Sequence, residues 1–196
     1  MHFPDQIPKL KNRRVHEVCG PAAVPYALMM ASRAAGTIMF IDAAHSAERL
    51  HPAGAGCFVD ISRLLVARGK SQADILWIAE EALRSRCVPV VIARLPESVD
   101  LTAGRRLQLA AEAGRSLGLF LIRDGEGSNT AETRWHCTQV NTAPDRPLDS
   151  TLFQWTCIKN KTGTTGTWTV HWNAETHHIN CLAPTGGGSL SQTAAG

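Results

Sequence analysis

Several groups of residues in this 196-residue chain carry side chains that could do chemistry. His177, His178 and Cys181 lie close enough together to suggest zinc ligands. Structural zinc takes four ligands in paired spacings, and neither CxxC nor HxxxH accompanies these three, so no metal is expected. Eight histidines and six cysteines would allow a Cys/His nucleophile pair, but no cysteine sits in a recognisable nucleophile context. Arg134-Trp135-His136 joins cations to an aromatic ring. That combination either stacks on and neutralises single-stranded nucleic acid, or forms an ordinary edge strand with a packed tryptophan. Arg105 and Arg106 border an apolar stripe. Either their stems cover that stripe, or they form a partner-binding patch, since arginine is enriched at interfaces.

The whole chain bounds these options. Its length suits one domain with a sizeable core. It is 44% hydrophobic and 19% charged, with a formal net charge of +3. That mildly basic balance permits weak DNA contact without arguing for it. No segment reaches the roughly 20 apolar residues needed to span a bilayer, and Met1–Leu10 has two prolines and no long apolar run, so neither a membrane span nor a signal peptide is expected. The six cysteines form no CxxC pair and read as reduced packing residues of a cytoplasmic protein.

The positioning elements follow from periodicity and punctuation. Residues 1–14 read as a flexible basic arm with Lys9, Lys11, Arg13 and Arg14. Val15–Cys19 is a short strand ending at Gly20-Pro21, and an Ala/Met-rich helix follows from about Val24 to Ala35. Thr37–Asp42 and Val88–Ala93 are uninterrupted apolar runs, as in strands covered on both faces. Leu64–Ala67 and Leu119–Ile122 read as further strands. Ser71 with Asp74 forms a capping box for a helix with apolar Ile75, Ile78, Ala79, Ala82 and Leu83 on one face. Asp100 or Thr102 starts another helix, whose buried stripe is Leu107, Ala110, Ala111, Gly114 and Leu117. Strands alternating with helices imply a parallel sheet. After Arg123 the pattern changes to alternating strands: Arg134–Val140, then Leu152–Ile158 and Thr167–Trp172 as an antiparallel hairpin. Residues 183–196 are Gly-, Ser- and Thr-rich and read as a disordered tail.

In order and wording these elements resemble a RecA core, most closely at FIDAAH (residues 40–45) and Ile158-Lys159-Asn160-Lys161. A closer resemblance is to the ImuA family, RecA-like and SulA-related accessory proteins of SOS mutagenesis. It is carried by His16-Glu17-Val18 before Gly20-Pro21, by Ala73-Asp74 with Glu80–Arg84, by Asp100–Ala103 with Arg105–Glu112, by Thr133-Arg134-Trp135, and by the Trp168…Trp172 hairpin. The resemblance implies an α/β fold with a RecA-like P-loop-type core, a mostly parallel central sheet flanked by helices, and an antiparallel C-terminal hairpin, over residues 15–182. It implies a non-catalytic adaptor in DNA-damage-induced translesion synthesis that binds an ImuB-type relative of Y-family polymerases, with RecA and an error-prone DNA polymerase as further partners. A SulA-like inhibitor of the division protein FtsZ and a DNA-stimulated ATPase with an atypical pocket are the alternatives.

A phosphate loop needs glycines that present backbone N–H groups, a lysine for the β and γ phosphates, and a Ser or Thr for magnesium. In that position stand Gly20-Pro21-Ala22-Ala23-Val24-Pro25-Tyr26-Ala27. Gly20 is kept, but Pro25 replaces the second glycine, Tyr26 the lysine and Ala27 the hydroxyl. By the same resemblance, Ala44 stands where RecA has a water-activating carboxylate, and Ala93-Arg94 where it has an aspartate near magnesium. Asp42 remains at its strand end, where a lone carboxylate is either structural or catalytic. No cofactor and no turnover are expected. Lys159 and Lys161 are candidates for a subunit or partner contact, or a plain polar hairpin end.

Overall fold

The computed structural model describes residues 6–140 and 150–184. The expected loop before Ser150 and the expected tail after Pro184 lie outside these residues, as do Met1–Asp5. Among the described residues, nine strands form one sheet. The first half of the chain supplies β1 (Val15–Cys19), α1 (Ala23–Ser32), β2 (Ile38–Ala43), α2 (Pro52–Gly56), β3 (Leu64–Gly69) and α3 (Gln72–Arg84). The second supplies β4 (Val90–Arg94), α4 (Leu101–Gly114), β5 (Leu117–Leu121), β6 (Thr133–Val140), β7 (Ser150–Asn160), β8 (Gly166–Asn173) and β9 (His178–Pro184). The sheet order is β3-β2-β4-β5-β1-β6-β7-β8-β9.

The sheet changes character at β6. From β3 to β6 all neighbours run parallel; from β6 to β9 they run antiparallel. The antiparallel part exceeds the expected hairpin, because β9 adds a strand that His178–Pro184 did not announce in sequence. Helices α3 and α4 cover one face of the parallel half through Val15, Ile41, Val91, Ala93 and Phe120. Helix α1 covers the other through Val18, Phe40, Val90, Ile92 and Leu119. Burial on both faces is why these strands are apolar throughout. In the antiparallel half one face is buried, and the alternation of Trp155, Cys157, Trp168, Val170 and Trp172 with half-buried residues follows from that.

Local signals act as expected at the helix starts. Ser71 Oγ accepts from Asp74 N–H, and Asp74 Oδ2 accepts from Ser71 N–H, a reciprocal cap. Asp100 accepts from Ala103 N–H at 2.7 Å, which puts the start of α4 at Leu101. Glycines set the spacing of α4. A Cβ on Gly114 would stand 1.7 Å from the Leu83 carbonyl oxygen, so α3 and α4 can touch there only without one.

The basic arm is not loose where it is described. Ile7 is 2% exposed within the main core. Lys11 Nζ is 2.7 Å from Glu132, and Arg14 is 3.0 Å from Glu112. Apolar burial of Ile7 and partly of Leu10 holds the segment, and the cations find carboxylates on the domain.

Candidate functional site

Ligands of open parallel sheets sit beyond the carboxyl ends of the strands. A cleft of about 540 Å³ lies there, over the ends of β1, β2, β4 and β5. The turn from β1 into α1 forms one wall, but it is not a phosphate cradle. Only Gly20, Pro21 and Ala22 separate strand from helix. Gly20 has φ +91°, and a Cβ there would meet the Cys137 carbonyl oxygen at 2.5 Å. Close approach to β6 therefore accounts for the retained glycine. The N–H groups nearby are spent: Ala22 donates to Cys137 O at 2.9 Å, Ala23 to Gly20 O, and Tyr26 to Ala22 O. Pro25 has none. Of the first helical turn only the Val24 N–H stays outside these bonds, too few donors for an anion site of the usual helix-terminus kind.

The side chains agree. Tyr26 does not face the cleft. It is buried against Trp135 and Trp155, with ring centroids 5.6 and 4.8 Å away, and burial pushes its phenol well above the usual range. Ala27 is likewise in the core. The sequence placed Tyr26 at the position of a lysine; in the structure the helix turns this position inward. Among the cleft's charges, Asp42 accepts from Ala43 N–H at 2.9 Å and lies 3.8 Å from Arg94. Arg94 also binds Glu48 at 2.8 Å. Acids and arginines balance along the lining, and no lysine is among them.

The other candidates divide into two groups. Arg134, Lys159 and Lys161 converge on the segment between β5 and β6. Glu17, buried in β1, accepts from Arg134 Nε at 2.8 Å and from Ser128 N–H at 2.7 Å. Arg134 and Lys159 both donate to Ser128 O, and Lys161 donates to Thr130 O. Burial, with the Arg134 charge next, lowers the Lys159 ammonium's pKa. Trp135 is 0% exposed and cannot stack on a base. Its Nε1–H donates to Thr133 Oγ1, which bonds His16 Nδ1 at 2.7 Å, while His16 Nε2 meets Lys11 O at 2.9 Å. Neutral His16, protonated on Nε2, satisfies every partner in this chain. Burial holds its pKa down, at about 4. Of the two readings of Arg134 and Trp135, a nucleic-acid contact or a strand with a packed tryptophan, the geometry favours the second: an internal brace in which polar groups on two central strands satisfy one another.

The second group lies on α3 and α4. Arg106 is spent on Glu80 at 2.5 Å, and Glu80 also holds Arg84. Arg105 stays exposed on the opposite flank, in a groove with Lys161. Two exposed leucines join them there, Leu101 and Leu109. Sequence reasoning missed both because it followed the buried stripe; apolar residues at four-residue steps from Arg105 were the signal. His177 stacks on Trp172, and no group of three His, Cys, Asp or Glu side chains among the described residues could hold a metal ion. No helix among them is long and apolar enough to cross a membrane.

Comparison with known proteins gives the chain its relatives. It is 33% identical over 120 residues to Protein ImuA of Caulobacter vibrioides, in each of two strains, covering 55% of this chain and 48% of the relative. It is 39% identical over 77 residues to Cell division inhibitor SulA of Edwardsiella piscicida, covering 38% of this chain and 44% of the relative. The chain thus spans about half the length of the curated relatives it matches. The crystal structure of SulA from Pseudomonas aeruginosa aligns with TM-score 0.47 and 23% identity, over 55% of this chain and 95% of that one. No protein-family model matches.

Proposed function

We propose that this chain, a relative of the ImuA and SulA proteins, is a non-catalytic adaptor in DNA-damage-induced translesion synthesis. On this reading it keeps a RecA-like core without its nucleotide site, works in the cytoplasm, and binds an ImuB-type polymerase relative, with RecA and an error-prone polymerase as further partners. One observation carries the non-catalytic part. The turn before α1 has spent or lost its phosphate donors, and the position of the lysine is an aromatic ring in the core. Polyphosphate bound in the cleft would meet a charge-balanced wall instead of fixed cations and N–H groups.

The test has two arms. Titration calorimetry with magnesium and ATP at millimolar concentration is expected to give no heat of binding. Co-expression with an ImuB-type protein from the same genome is expected to give a complex that survives gel filtration. Magnesium-dependent ATP binding that disappears when the cleft is altered at Arg94 would revive the ATPase reading. The SulA similarity supports a second reading, an inhibitor that binds FtsZ. Retention of FtsZ and not of the ImuB-type protein would select it.

A further inference from the structure

The outer face of α4 carries a stripe with no partner among the described residues. Leu101, Arg105 and Leu109 follow at four-residue steps and so stack along one side of the helix. Leu101 is 53% exposed and Leu109 65%. Neither contributes to either core cluster. Beside the stripe runs an open groove of about 460 Å³, closed on its far side by Thr130 and Lys161.

The polar groups of this groove are unevenly used. Gln108 is spent: its amide donates to Val15 O and Thr130 O and accepts from Val15 N–H. Lys161 gives one bond, to Thr130 O at 2.8 Å, and an ammonium has two more to offer. Arg105 makes no hydrogen bond or ion pair with a described residue. No carboxylate lines the groove. Of the acids around it, Glu112 pairs with Arg14 and Glu132 with Lys11, Glu132 also feels the Lys161 charge, and Asp100 caps the start of α4 through Ala103 N–H. Two cations with unused donors flank two exposed leucines. No exposed aromatic ring lines the groove for bases to stack on, which a single-strand surface would use.

We propose that this groove docks an acidic amphipathic segment of a protein partner. Two apolar side chains of the partner pack on Leu101 and Leu109, about 12 Å apart along α4 at the helical rise. Carboxylates of the same segment pair with Arg105 and Lys161, where an arginine fork can bind both oxygens. The existence of a partner rests on the adaptor reading; the chemistry of the segment rests on the groove alone.

A phage-displayed random peptide library selected on the full chain tests this directly. Enriched peptides are expected to combine Asp or Glu with Leu, Ile or Phe. Their affinity is expected to fall about tenfold on Arg105→Glu and on Leu109→Ser, and to be unchanged on Arg68→Glu, an exposed arginine on β3. Matching thermal melts show that the variants are folded. The Arg105→Glu, Lys161→Glu double variant is expected to enrich Lys- and Arg-bearing peptides instead. Enriched peptides without carboxylates, equal weakening by Arg68→Glu, or an oligothymidylate that binds at Arg105 while no peptide is enriched would overturn the proposal. ATP binding would overturn the adaptor reading and leave this result standing, so each can fail alone.

Discussion

At the scale of single residues, the polar positions of β1 explain more than the missing lysine does. His16 and Glu17 are polar residues of a short strand, and both are buried. Nothing local reveals this, because their partners Thr133 and Arg134 lie more than a hundred residues away. His16 gives a pH prediction. Its folded pKa, about 4, is below the ordinary 6.5. The unfolded chain therefore takes up the proton first as pH falls, and stability present above pH 6.5 is lost between 6.5 and 4. Full loss corresponds to about 3 kcal/mol. Urea unfolding at pH 7 and pH 5 should show most of it, and His16→Gln should flatten that part of the profile. Glu17→Ala is expected to cost about 2–4 kcal/mol, because it strands the half-buried Arg134 guanidinium. Equilibrium unfolding checks that figure; a loss under about 1 kcal/mol would mean water reaches the pair. Tyr26 on α1 is held by the same kind of burial. Tyr26→Lys should not recover nucleotide binding but lower the melting temperature sharply, since it places an ammonium among Trp135 and Trp155.

At the scale of elements, periodicity and caps carry the reading well where they are strong. The capping box at Ser71 and the apolar runs of β2 and β4 fall within two residues of their expected limits. Element α2 was hidden because Pro52–Gly56 reads as loop material, with two glycines in five residues. Strand β9 was hidden by the polar His177-His178 pair at its start and Asn180 within it. The pairing of helices α3 and α4 makes the most exposed prediction at this scale. Gly114→Ala forces a Cβ onto the Leu83 carbonyl, which belongs to backbone and cannot rotate away. Overpacking at such a point is expected to cost about 3 kcal/mol, while Gly54→Ala, where a Cβ meets open space, should be near neutral. Thermal melts of the two variants compare them in one experiment.

At the scale of the molecule, the parallel sheet with helices on both faces was legible from alternation alone; the change of pattern after Arg123 came one strand early, since β6 still pairs parallel with β1 and the antiparallel run begins at β7. The site was less legible. Sequence placed Arg134, Trp135, Arg105, Arg106, Lys159 and Lys161 as equals. Tertiary contacts spend Arg134, Lys159 and Arg106 internally and leave Arg105 with Lys161 at one groove. The central position of β1 also has a consequence in time. Its neighbours on either side are β5 and β6, so Val18 pairs with Leu121 and Trp135. A ribosome adding roughly 5–20 residues each second needs on the order of ten seconds to pass from β1 to β6. Until β5 is made the strand that will become the middle of the sheet has two open edges, and until β6 follows it still has one. Nascent chains stalled before β6 should therefore keep β1 protease-sensitive, and its protection should appear once β6 has cleared the exit tunnel.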